Sequence, residues 1–134
     1  MILGIGVDLC SVARISEALY RNSDANQLIS DSAFCQRILS KEELLELSTT
    51  QHKENFVTKK WTAKEALCKA SGNGMIIGFN NITIAHEASG KPYFKLNEVA
   101  TDAINKAFGI QSFSTHLSIS DEDNMIIAFA IISI

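Results

Sequence analysis

Residues 56–75 read FVTKKWTAKEALCKASGNGM and hold Lys59, Lys60, Lys64 and Lys69 around a single carboxylate, Glu65. Wound at about 100° per residue, the stretch puts Phe56, Val57, Trp61, Ala63, Ala66, Leu67, Cys68 and Ala70 on a broad apolar arc. Thr58, Thr62, Glu65 and Lys69 share the remaining face, while Lys59, Lys60 and Lys64 intrude into the arc. Four ammonium groups about one carboxylate suit a polyanion held close, with Glu65 on a metal ion or a proton. The plain alternative is a buried helix whose lysine stems run past apolar neighbours. Periodicity does not name the ligand.

Three further groups belong in the same account. Asp8 ends the apolar run ILGIGVDL, where a site carboxylate often sits and where a turn or helix-entry aspartate fits equally well. Arg14, Ala18 and Arg21 make a short cationic stripe, shaped for an acidic helix on a partner or simply for water. His116 lies in the alternating run FSTHLSIS, on its hydroxyl-lined face, as a site group or a solvated strand histidine. The pair Gly4-x-Gly6 lacks the third glycine and βαβ context of a dinucleotide fingerprint, and reads as room for close approach.

The elements that position these residues follow from local signals. Leu3, Ile5 and Val7 occupy one face of a first strand, and Gly4, Gly6 and Asp8 the other. Ser11 caps a helix with Val12, Ile15 and Leu19 inward, and 22–24 turn the chain. A short helix is expected in 28–39, anchored by Phe34, Ile38 and Leu39. Ser40 and Glu43 form a capping box, read as structural and given no chemistry. His52 sits in a polar connection, as a solvated loop residue. The central helix stops at Gly72-Asn73-Gly74. Beyond it come a strand at 82–84, a turn at 89–92 and a return strand at 93–96 with Lys95 outward. Asn97 caps a helix closed by Gly109. Residues 113–120 alternate, 121–124 turn, and 125–132 are apolar on both faces, as in an inner strand or one covered by another subunit. Helices between strands with two hairpins give an α+β domain.

Composition narrows the function classes. With 134 residues the chain is expected to form one domain, 1–134, that buries roughly 70% of its extended surface. A hydrophobic content of 46% with one proline reads as globular. The net charge of −3 argues against non-specific nucleic-acid binding, so a basic site must be local. Cys10, Cys35 and Cys68 are odd in number without CxxC spacing, which fits a reduced cytoplasm better than zinc or disulfides. No run approaches the roughly 18 apolar residues of a membrane span, and the first residues carry no basic signal region.

Taken together, GIGVDLCSVARI at 4–15 and the lysine stretch at 56–75 resemble the paired signature of the 4′-phosphopantetheinyl transferases, its short holo-acyl-carrier-protein synthase branch in particular. SGKPYF at 89–94 and STHLSIS at 114–120 match later landmarks, so the resemblance covers nearly the whole chain. It implies an antiparallel sheet with a long central helix packed on it. It also implies transfer of phosphopantetheine from coenzyme A to a serine of apo acyl carrier protein, with adenosine 3′,5′-bisphosphate leaving, in fatty acid biosynthesis. By the same resemblance Asp8 and Glu65 hold Mg²⁺, and Glu65 and Lys69 are catalytic. Lys60, Lys64, Lys69, Gly72, Gly74 and His116 meet coenzyme A, and Arg14 and Arg21 dock the carrier. Either Glu65 or a water on the metal takes the serine proton. Lys60 stands where the family commonly has arginine, which keeps the charge and loses the bidentate fork. Asn73 replaces a threonine and Trp61 a phenylalanine. A homotrimer with active sites between subunits is implied. The rival reading keeps the pocket without catalysis, as a coenzyme A or nucleotide-binding regulator.

Overall fold

The computed structural model describes residues 1–21, 28–72 and 77–134, so the expected turn at 22–24, Asn73 and Gly74 lie outside it. In chain order the elements are β1 (Ile2–Ser11), α1 (Val12–Tyr20), a 3-10 turn (Ile29–Asp31), α2 (Ala33–Ile38) and α3 (Lys41–Thr49). Then come α4 (Lys53–Ser71), a second 3-10 turn (Phe79–Asn81), β2 (Ile82–His86), β3 (Pro92–Leu96), α5 (Glu98–Phe108), β4 (Ser114–Glu122) and β5 (Met125–Ser133). The strands form an antiparallel sheet in the order β1-β5-β4 and a separate β2-β3 hairpin. This is the expected α+β arrangement, an antiparallel sheet under a long central helix.

Local chemistry starts and stops the helices as expected. Ser11 Oγ accepts the Arg14 amide at 3.2 Å, and Asn97 Oδ1 accepts that of Ala100 at 3.0 Å. The Ser40–Glu43 capping box is complete in both directions. Gly72, at φ 72°, takes the left-handed conformation that ends α4. Between β4 and β5, Asp123 and Asn124 both have positive φ, 50° and 59°, the twist of a two-residue hairpin turn. The helix expected in 28–39 divides in two, because Ser32 Oγ caps Cys35 and starts α2 afresh.

β1 and α4 meet along a seam that only glycine permits. A Cβ at Gly4 would lie 1.9 Å from the Ala70 carbonyl oxygen, and one at Gly6 1.9 Å from that of Ala66. The glycine face of β1 is therefore the inner one. Leu3 leaves the expected apolar face through a register shift between Ile2 and Gly4, and packs on the core. Ile5, Val7 and Leu9 face away from α4, each about half exposed.

α4 is buried nearly all round, and this corrects the two-faced helix expected from periodicity. Thr58 and Thr62 have no exposed surface, because their hydroxyls donate to the Glu54 and Thr58 carbonyls one turn back. One core joins the C-terminal half of α4 to the sheet, the hairpin and α5. A second packs α1, α2 and α3 around its N-terminal half.

Candidate active site

The seam sets Asp8 against the outer turn of α4. Lys69 Nζ donates to Asp8 Oδ1 at 2.8 Å and to the Val7 carbonyl at 3.1 Å. The Asp8 side chain is 14% exposed and that of Lys69 53%, so the pair straddles the edge between interior and solvent. Glu65 lies one turn before Lys69 on the same helix face. Burial pushes its carboxyl up, the charge of Asp8 pushes it further, and Lys69 and Arg14 pull it back. Two carboxylates on facing elements, each near one ammonium group, thus share one small region.

That donor set fits a hard divalent cation. Mg²⁺ is commonly held by one or two carboxylates with water and substrate phosphates completing its oxygen shell. Among the described residues no cluster of three or more His, Cys, Asp or Glu side chains is arranged to hold a metal. The mutual repulsion that raises Glu65 is relieved by a bound cation.

The structure brings together Asp8, Glu65, Lys69 and the charge of Arg14. Arg14 is exposed near the start of α1, while Arg21, just past its end, lies 3.9 Å from Glu17 with both side chains open to solvent. Lys60 is only 3% exposed: its Nζ donates to the Ile84 carbonyl at 3.1 Å and lies 4.6 Å over the Phe56 ring. It lines a cleft of about 360 Å³ with Lys59, His52 and His86. Burial pulls the Lys60 ammonium down, with Glu43 and Glu46 opposing.

Two expected coenzyme residues fall elsewhere. Lys64 has no exposed surface; it pairs with Glu43 at 2.5 Å and also donates to the carbonyls of Ile38 and Phe79. Where a contact with coenzyme A was expected, the side chain makes an internal ion pair, and each of its three N–H groups has a protein acceptor. His116 pairs in register with Ile131, on the sheet face opposite α4, with Nε2 3.2 Å from Ser133 Oγ. Within one chain it does not join Asp8 and Glu65. Gly72 closes α4 beside Lys69, and Gly74 is outside the described residues. Sequence reasoning gave Glu43 only a capping role. The missed signal was a lysine in the apolar arc, which needs a buried partner.

A seam of small residues, a helix carrying Glu-x-x-x-Lys and an aspartate on the facing strand define a class. Residues 4–130 match the 4′-phosphopantetheinyl transferase superfamily, and the chain belongs to it. Its relatives narrow the likeness. The holo-[acyl-carrier-protein] synthase of Nitrosomonas eutropha is 38% identical over 134 residues, 98% of each chain. The crystal structure of the Neisseria meningitidis holo-[acyl-carrier-protein] synthase aligns over 100% of both chains with 35% identity and a TM-score of 0.85. The Helicobacter pylori synthase, solved in complex with coenzyme A, aligns over 96% of this chain and 99% of its own with 26% identity and a TM-score of 0.75.

Proposed function

We propose that this chain, as a single domain over 1–134, transfers the 4′-phosphopantetheine arm of coenzyme A to a serine of apo acyl carrier protein. The observation that carries this reading is the Asp8–Lys69 pair at 2.8 Å, with Glu65 one turn away on the same helix face. The synthase named from Helicobacter pylori binds coenzyme A in its structure, which supports the same donor here.

The serine oxygen attacks the phosphorus that carries the pantetheine arm, and the bond to the bisphosphate oxygen breaks. Mg²⁺, when bound by Asp8 and Glu65, supplies charge neutralisation at the diphosphate. Phosphoryl transfer asks the protein mainly for alignment and charge stabilisation. Lys69 holds Asp8 in place and presents its half-exposed ammonium to the same anionic group. Glu65, one turn before Lys69 on the same helix face, is placed to receive the serine proton. Lys60, at its cleft, faces the coenzyme's outer phosphate, and Gly72 leaves room beside Lys69. Arg14 and Arg21 steer an acidic carrier helix. The serine comes from the carrier, so this chain needs no nucleophile of its own.

The assembly is a homotrimer whose active sites lie between subunits. The support is the outer face of the sheet, where Ile5, Val7, Leu9, Ile127 and Phe129 are 41–57% exposed. His116 lies on that face, where it reaches a site only across a subunit boundary. The reaction belongs to fatty acid biosynthesis in the cytoplasm, a compartment in which the free thiols of Cys10, Cys35 and Cys68 persist. The test is incubation with coenzyme A, Mg²⁺ and an apo carrier. The carrier gains the mass of one phosphopantetheine, and EDTA abolishes the gain. A carrier of unchanged mass overturns the reading.

A further inference from the structure

The capping glutamate of α3 is the centre of a buried network that reaches both ends of the candidate site. Glu43 Oε1 accepts the Ser40 amide at 2.9 Å and the Lys64 ammonium at 2.5 Å, and Oε2 accepts the Ile84 amide at 2.9 Å. Lys64 directs its other two donors to the carbonyls of Ile38, 2.6 Å, and Phe79, 3.0 Å. Neither side chain of the pair has any exposed surface. The Ile84 carbonyl in turn accepts from Lys60. The chain Lys64–Glu43–Ile84–Lys60 thus leaves α4, crosses α3 and β2, and returns to α4 one turn earlier.

A buried ion pair is weak evidence of stabilisation, because well-packed apolar side chains of similar volume often do as well or better. What such a pair supplies is direction. The contact of Ala66 and Ala70 with the glycines of β1 is close, and the polar bonds across it come from one half-exposed side chain, Lys69, which reaches Asp8 and the Val7 carbonyl. Lys64 has three acceptors in three different elements, and a turn of α4 about its axis breaks all of them together. Lys64 also immediately precedes Glu65. We propose that Glu43 and Lys64 are a positioning pair, which sets the rotation of α4 so that Glu65 and Lys69 face Asp8 while Lys60 faces its cleft.

This inference rests on the transferase reading, and its test separates the two. The double variant Glu43→Leu/Lys64→Met removes both charges at similar volume, and Glu43→Asp keeps the charge with a shorter reach. Each is measured by thermal midpoint, direct Mn²⁺ titration, half-saturating Mg²⁺ in the transfer assay, and KM for coenzyme A and for carrier. The double variant keeps a midpoint near that of the wild type. Its Mn²⁺ affinity falls and its Mg²⁺ and coenzyme A requirements rise about 10–100-fold, the scale of a small misplacement of catalytic groups. The carrier KM, set by α1, does not move. Glu43→Asp shows the same split, which keeps the test decisive if the double variant fails to fold. A folded variant with unchanged metal affinity and coenzyme A KM overturns the positioning role alone. A wild-type protein that moves no phosphopantetheine overturns the transferase reading and this inference with it.

Discussion

Lys64 and Lys69 lie on one helix and have opposite surroundings. Lys69 is half exposed and bonded to Asp8, whereas Lys64 has no exposed surface and is saturated by protein acceptors. Sequence periodicity already set them apart, Lys64 within the apolar arc and Lys69 outside it; the partners show what each does there. Replacing Glu65 with glutamine keeps its shape and removes both its charge and its basicity. Transfer then falls about 10²–10⁴-fold, the usual contribution of a general base, with the thermal midpoint retained. Near-normal turnover at saturating Mg²⁺ would remove Glu65 from the site. Arg14→Glu raises the carrier KM and flattens its salt dependence, and an unchanged KM would leave α1 as solvated surface.

A second residue pair gives the stability a pH signature. Tyr20 donates to Glu54 Oε1 at 2.6 Å. The bond holds the Glu54 carboxyl below its usual value of 4.5 and pushes the Tyr20 phenol up to about 12. Glu54, depressed in the folded state, contributes stability that is full above pH 4.5 and lost as pH falls through its folded value. Tyr20, raised, contributes stability that is full below pH 10 and lost as pH rises toward 12. Tyr20→Phe therefore costs most between these limits, about 1 kcal/mol for a bond so open to solvent. Urea midpoints of the two proteins converge in acid; a gap that stays constant down to pH 3 would show that the charge of Glu54 adds nothing to the bond.

At the scale of elements, the contact between β1 and α4 decides where everything else goes. Gly6→Ala places a methyl group against the backbone of Ala66, and no rotamer change relieves it. The strand must lift from the helix, at a cost of about 1–3 kcal/mol, and Asp8 moves away from Glu65 and Lys69. A lower urea midpoint together with a raised Mg²⁺ requirement is the expected result. An alanine variant as stable as the parent would mean that the seam yields freely.

The same contact shows what the sequence could and could not disclose. The caps at Ser11, Ser40 and Asn97, the glycine stop at Gly72 and the β2-β3 hairpin were legible because each is settled within a few residues. Asp8 was legible as a carboxylate on the first strand, although β1 runs on past it to Ser11, so it is not the strand's end. The inner face of β1 was not, since Leu3, Ile5 and Val7 are the apolar set and the glycines look like gaps. They become the inner face only because Ala66 and Ala70, far along the chain, leave room for nothing larger. The burial of Thr58 and Thr62 and the partner of Lys64 were not legible for a related reason. Their acceptors are helix carbonyls, and for Lys64 also a glutamate in another helix, none of which alters the spacing of residues.

For the molecule as a whole, the uncovered face of the β1-β5-β4 sheet matters most. Ile5, Val7 and Leu9 of β1 stand in register with Ile131, Phe129 and Ile127 of β5. A contiguous apolar patch of this kind marks an interaction surface. Phe129→Glu puts a charge in its centre while leaving the α4 side of the sheet untouched. Light scattering then reports single chains, far-UV circular dichroism is unchanged, and transfer activity is lost if the site is completed across subunits. A variant that remains assembled would place the interface elsewhere.

In the trimer proposed above, a chain just released from the ribosome would carry that greasy strip wet until its fellows arrive. Its resistance to heat is then a matter of mass action as much as of internal packing. Diluted samples melt at lower temperature than concentrated ones, and catalysis per subunit fades on dilution before any helix unwinds. In that proposed assembly, the amount of enzyme in a cell would set the fraction of it that works.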